Sequence, residues 1–170
     1  FKPSRSSGKV ILQVENLSLK MNGKFLVENF NLTVNKGDKI AFVGQNDLIK
    51  TMLFEALTGN ILPESGNVTW GTTINYSYFP KEHSKFFQSS LSIIDWLRQF
   101  SDEKSENFIR GFLGRMLFSG EESLKKVSVL SGGEKVRCLL SKMMISGSNV
   151  LIFDDPTNHL DLEAITALND

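Results

Sequence analysis

Leu130-Ser131-Gly132-Gly133-Glu134 stands before a helix-like segment, and Val150-Leu151-Ile152-Phe153-Asp154-Asp155 follows shortly after it. Ser131 can cap the helix, while Gly132 and Gly133 leave room for a phosphate to approach its N-terminus, where backbone N–H groups point outward. Glu134 completes this phosphate-contact group. The apolar run from Val150 carries its last side chains to the carboxyl edge of a sheet, where ligands of open α/β sheets bind. Asp154 is placed there to hold Mg2+, directly or through water, and Asp155 is the candidate catalytic residue, as a water-orienting or base carboxylate. A Gly-rich phosphate contact followed at short range by a strand ending in carboxylates implies a nucleoside triphosphate with its metal. The alternative reading of each piece alone is plain: a capping turn, and a strand capped by solvated acids.

A second group lies about 100 residues upstream. Gly44-Gln45-Asn46-Asp47-Leu48-Ile49-Lys50-Thr51 has the P-loop order of Gly, four residues, Gly, Lys and then Ser or Thr, except that Ile49 takes the place of the second glycine. Gly44 and Asn46 fall in the loop whose backbone would contact phosphate. Lys50 would neutralise β/γ-phosphate charge and Thr51 would join Asp154 as a metal ligand. The competing reading is an ordinary strand-to-helix turn with a chance Lys-Thr. Holding a non-glycine at Ile49 in a glycine conformation would cost ~1–3 kcal/mol, and Asp47 adds negative charge beside a polyanionic ligand.

These residues need elements to hold them. Val10–Val14 reads as a strand, and Phe25–Val34 as one or two. Lys39–Val43 is a short, almost wholly apolar run, expected as a strand buried on both faces. Gly44 to Ile49 reads as a loop, and Lys50–Leu57 as a helix closing at Thr58-Gly59-Asn60. Asn67–Trp70 and Ile74–Phe79 are candidate strands. From Leu91 the apolar spacing turns helical: Leu91, Ile94, Trp96 and Leu97, then Phe108, Ile109, Phe112, Leu113, Met116 and Leu117. Gly133–Ile145 is a further helix with Val136, Leu139, Leu140 and Met143 on one face, and Asn149–Phe153 a second buried strand.

Bulk properties narrow the class. With 170 residues the chain can bury a real core. Lys+Arg and Asp+Glu are both 19, so no global basic field recruits nucleic acid. The single cysteine, Cys138, excludes an internal disulfide and fits a small buried residue in a reducing compartment. No apolar run reaches the ~18–20 residues of a bilayer span, and a cytoplasmic setting is the expectation. Residues 1–8 read as a linker remnant, and Asp170 falls inside an expected helix, so the sequence reads as a piece of a longer protein. His159 matches no metal-ligand spacing with His83 and is expected to be structural. The 13 phenylalanines read as core rather than a base-stacking platform, and Lys125-Lys126 and Lys135 to Arg137 as solvated faces.

Taken together, these motifs resemble the ATP-binding cassette, or ABC, family. Leu130–Glu134 resembles its signature, Ile152–Thr157 its Walker B strand, Asn158-His159-Leu160-Asp161 its D-loop, and Gly44–Thr51 a decayed Walker A. The D-loop wording and the Val10–Leu19 opening look most like the second nucleotide-binding domain of ABC-F proteins, twin-domain ATPases without membrane domains that are linked to ribosomes and translation. The resemblance implies an α/β P-loop NTPase fold over residues 9–170, incomplete at its C-terminus, with an antiparallel β part and a helical lobe at about 83–130. It implies ATP and Mg2+ as ligands, and a second ABC nucleotide-binding domain as partner, in the same parent chain or as a homodimer, with the ribosome beyond it. A membrane transporter's ATP-binding subunit and a non-catalytic dimerisation module are the alternatives.

The departures fall unevenly. Against the family pattern, Ile49 and Asp47 replace glycines, Lys81 stands where a glutamine is usual, Met21 stands where an adenine-stacking aromatic is expected, and Asp155 replaces the catalytic glutamate. The signature shares none of these changes. Because two domains of this family sandwich ATP between one P-loop and the other's signature, the resemblance implies that Ser131-Gly132-Gly133 serves a partner's ATP while this domain's own site is weakened. ATP hydrolysis is then expected of the intact two-domain protein and not of residues 1–170 alone.

Overall fold

The computed structural model describes residues 3–156. Strands β1 (Val10–Met21), β2 (Lys24–Asn35) and β3 (Ser65–Trp70) form an antiparallel sheet in the order β2-β1-β3. The first two are joined by Asn22-Gly23, whose φ angles of 51° and 78° are those a two-residue hairpin turn demands. Helix α1 (Asp47–Leu57) lies on this sheet, burying Leu53, Ala56 and Leu57 among Ile11, Leu12, Val14, Leu17 and Leu19. Its C-terminal end is tied down by two aromatic donors: Trp70 Nε1 donates to the Leu57 carbonyl (2.8 Å) and Tyr76 Oη to that of Thr58 (2.9 Å). These bonds satisfy carbonyls that a helix end leaves without partners, and they fix the helix that carries Lys50 and Thr51.

Strands β4 (Tyr76–Phe79) and β5 (Val150–Phe153) pair in parallel, Tyr78 opposite Ile152. A parallel pair needs a long crossover, and here it is the helical part of the molecule. That part contains α2 (Ile93–Arg98), α3 (Glu106–Arg115), three short 3-10 turns and α4 (Gly132–Ile145). Its core joins Ile93, Trp96 and Leu97 to Ile109, Phe112, Leu113 and Met116, and both to Val136, Leu139, Leu140 and Met143. Positions 109, 112, 113 and 116 follow the i, i+3, i+4, i+7 rule. Phe108, one residue off that stripe, and Leu91 and Leu117, outside the helices, are exposed rather than on the apolar face the spacing suggested.

Three other expectations need correction. Lys39–Val43 is not a strand: it pairs with nothing among the described residues, and Val43 is 96% exposed. An apolar run says that a segment wants cover, but only a neighbouring chain makes it a strand. Here Phe42 packs edge-on against Phe54 (5.4 Å between centroids), and Ile40 and Phe42 face Val150 and Ile152 across an apolar cleft of about 210 Å³. Second, α1 starts at Asp47 and not at Lys50. Third, Arg137 is buried, stacked over Phe118 and donating to the Leu117 carbonyl (2.9 Å), because a guanidinium can cover an aromatic face while its N–H groups reach backbone. Cys138 is fully buried, and burial raises its thiol pKa, as expected of an inert core residue.

Candidate functional site

The early start of α1 changes the phosphate loop. Asn46 is the N-cap, and its side-chain oxygen accepts from the Ile49 N–H (3.3 Å). The amide that a phosphate would engage is therefore already capped. No residue from 44 to 51 has a positive φ, so the strain expected at Ile49 does not arise: the chain avoids it by winding Asp47 to Thr51 into the helix. Gly44 stands just ahead, exposed, with open space where a side chain would be.

One turn into α1 the two residues expected as metal ligands meet. Thr51 Oγ1 donates to Asp154 Oδ2 at 2.7 Å, joining residues 103 apart in sequence. Asp154 is 3% exposed. Its backbone N–H continues the parallel ladder by donating to the Phe79 carbonyl (2.9 Å). Tyr78 Oη also points at Asp154 Oδ2 (3.4 Å) and at Glu55 Oε1 (3.3 Å). Burial, then the charges of Glu55 and Asp154, push the Tyr78 phenol well above its ordinary pKa, so it stays a neutral donor. Neither Tyr78 nor Glu55 was picked out from sequence. Glu55 could have been: it lies four residues after Thr51, on the same face of the helix.

A chain of alternating charges crosses the mouth of the site. Lys50 Nζ is 2.7 Å from Asp47 Oδ1, Lys81 Nζ is 3.2 Å from Asp47 Oδ2, and Lys81 Nζ is 3.4 Å from Asp155 Oδ2. Hydrogen bonds from Lys50 and then Lys81 lower the Asp47 carboxyl pKa, and the bond to Asp47 raises that of Lys81. Asp155 has φ 52°, a left-handed conformation that aspartate adopts more readily than most residues. Asp47, Lys50, Lys81, Asp154 and Asp155 all line one cavity of about 300 Å³. The half-buried Thr51 hydroxyl and the buried Asp154 carboxylate are hard oxygen donors beside a lysine, of the kind that would suit Mg2+ and phosphate.

The remaining predicted residues lie elsewhere. None of Ser131, Gly132, Gly133 or Glu134 lines that cavity. Ser131 and Glu134 form a capping box: Ser131 Oγ accepts from the Glu134 N–H (3.3 Å) and Glu134 Oε2 from the Ser131 N–H (2.7 Å). Lys125 adds an ion pair at 2.8 Å. Burial opposes ionisation of Glu134, but the bonds from Lys125 and Ser131 outweigh it and hold the carboxyl at about 2. Its folded pKa is thus below the ordinary 4.5, so its contribution is complete above about 4.5 and is lost as pH falls towards about 2. Glu134→Gln is expected to cost about 1–2 kcal/mol at neutral pH and to flatten the acid limb of stability, measured by chemical denaturation across that range. Gly132 is exposed, and a Cβ there would meet nothing within 4 Å. Thr157, Asn158, His159, Leu160 and Asp161 lie outside the described residues.

A helix whose first turns carry Lys50 and Thr51, set against an aspartate at the end of a parallel strand, is the arrangement of a nucleotide-binding domain. Residues 27–158 match the ABC transporter family model, and the chain belongs to that family, as an ATP-binding domain. It is 54% identical over 99% of its length to an uncharacterized ABC transporter ATP-binding protein, YkpA, of Bacillus subtilis, of which it covers 32%. It is 34% identical over 96% of its length to the ATP-binding protein Uup of Escherichia coli, of which it covers 26%. It therefore spans a third or less of these curated relatives. Among solved structures, the dimeric post-hydrolysis state of the ATP-binding cassette MJ0796, bound to ADP and Pi, matches with a TM-score of 0.72 at 15% identity, covering 93% of this chain and 81% of that one. That likeness supports the P-loop NTPase fold. No helix among the described residues is long and apolar enough to cross a membrane.

Proposed function

We propose that this chain is the second nucleotide-binding domain of an ABC-F-like ATPase that works on the cytoplasmic translation machinery, and that its two halves serve different ATP molecules. The observation that carries the reading is the contrast between them. Both helix starts are capped by their own side chains, but only Gly44–Thr51 also sets a carboxylate, Asp47, on the lysine that would hold phosphate. The Ser131–Gly132 turn stands exposed with open space above it, away from the cavity of Lys50 and Asp154. Thr51 and Asp154 would hold Mg2+, which offsets phosphate charge when bound. Lys50 would hold phosphate weakly, and Asp155 would orient water with one methylene less reach than a glutamate. The signature, Ser131 to Glu134, would complete the ATP site of a partner domain. The similarity to Uup supports the ABC-F placement.

The test is turnover by the intact protein with one site disabled at a time. Lys50→Ala is expected to leave ATPase activity within about twofold, since general-base and phosphate positioning at this site already fall short by the ~10²–10⁴-fold such groups supply. Loss of most activity in Lys50→Ala would show that this site is the working one. The similarity to YkpA, an uncharacterized ABC transporter ATP-binding protein, favours a second reading, the ATP-binding subunit of a transporter. Fractionation separates the two: the first places the intact protein with ribosomes, the second with membranes.

A further inference from the structure

Asp47 sits where an anionic ligand would. It is the first residue of α1, and its two carboxylate oxygens engage Lys50 (2.7 Å) and Lys81 (3.2 Å), the two ammonium groups that line the 300 Å³ cavity. Lys81 reaches on to Asp155 (3.4 Å), so the four charges form a neutral row from α1 to the segment just after β5. A phosphate group at this place would use the same helix start and the same lysine. The residue carrying this charge is one of the departures from the family pattern, and so is the residue that neutralises it from the other side. A lone aspartate beside phosphate would only repel it. An aspartate shared by two lysines does more: it occupies both.

We infer that Asp47, latched by Lys81, is a tethered anion that fills the phosphate seat of the nucleotide-free domain, so that a nucleotide must displace it from Lys50 to bind. The competition step rests on the ATP-binding reading above; the filled seat does not. Asp47 and Lys81 are positioning residues in this scheme, acting through Lys50. The row is half-open to solvent, with side chains 29–56% exposed, so displacement needs no unfolding, and the barrier to binding is one of competition.

Residue-resolved amine acylation, read by mass spectrometry on the intact protein, tests both parts. In the nucleotide-free protein, Asp47→Asn is expected to raise the acylation rates of Lys50 and Lys81 several-fold, since each loses the same partner. Titration with Mg-ATP is then expected to protect Lys50 at roughly tenfold lower concentration in Asp47→Asn than in the native chain, as one negative charge a few ångströms from a triphosphate is removed. Asp47→Ser, which also suits a helix start, repeats both measurements should the amide variant fold poorly. Unchanged nucleotide-free rates for both lysines in a folded variant would overturn the inference, whatever ATP does. Faster rates with no protection by ATP in any variant would leave the filled seat standing and overturn the ATP-binding reading instead. Equal protection midpoints in native and variant chains would show that Asp47 does not compete.

Discussion

Asp154→Ala is expected to abolish the magnesium dependence of nucleotide binding and to destabilise the domain by about 1–3 kcal/mol, the range for stranding buried partners of a lost acceptor. Its carboxylate is 3% exposed and accepts from Thr51 (2.7 Å) and Tyr78 (3.4 Å). Alanine leaves both hydroxyls facing an empty place, although Tyr78 keeps Glu55. Asp154→Asn separates the two effects. Its amide oxygen can still accept from Thr51, so stability stays within about 1 kcal/mol, while the charge a divalent cation needs is gone. Thermal denaturation measures the first quantity, and nucleotide affinity with and without Mg2+ the second. Native magnesium dependence in a folded Asp154→Asn protein would remove Asp154 from the metal site.

The same pair shows what the sequence made legible. Lys50-Thr51 before a helix and Asp154 after an apolar strand could be matched because each motif carries its own element with it, and the fold brings them within hydrogen-bonding distance. Helix α4 was equally readable: Ser131 and Glu134 are three residues apart, the spacing of a capping box, and the apolar stripe behind them fits one helix period. Lys39–Val43 misled because it is defined by what lies beside it. Its apolar residues announce burial, and the described residues supply cover for Phe42 but no ladder. The α1 start misled for the opposite reason. A glycine pattern with one glycine missing still suggested a loop, whereas Asn46, an excellent N-cap, and Asp47, favourable in a first helical turn, spelled a helix. Local propensity won because no glycine at 49 held the loop open. The hairpin at Asn22-Gly23 was also available in the sequence and would have set the pairing beside the turn, Met21 with Lys24 and Lys20 with Phe25, before the ladder shifts register. Arg137 could not have been found this way, since its burial depends on Phe118, nineteen residues away.

Gly132→Asp is expected to leave the fold intact and to lower ATP turnover of the intact protein on the order of 10²-fold or more, the size of losing a positioned transition-state contact. The structural side is permissive. A Cβ at Gly132 meets nothing within 4 Å, its φ is not in the left-handed region, and an acid in the first turn of α4 favours the helix dipole. The denaturation midpoint is therefore expected to stay within the ±0.5 kcal/mol typical of surface changes. The functional side is not permissive. Under the composite-site reading, the space above Gly132 belongs to a partner's triphosphate, and a carboxylate there meets it directly. Mg-ATP protection of Lys50 in this domain should not change, because Gly132 lines no part of that cavity. The pattern of unchanged stability, unchanged local protection and lost turnover distinguishes a residue serving another domain's nucleotide from one serving its own. Wild-type turnover in Gly132→Asp would mean that the turn before α4 is only a helix cap.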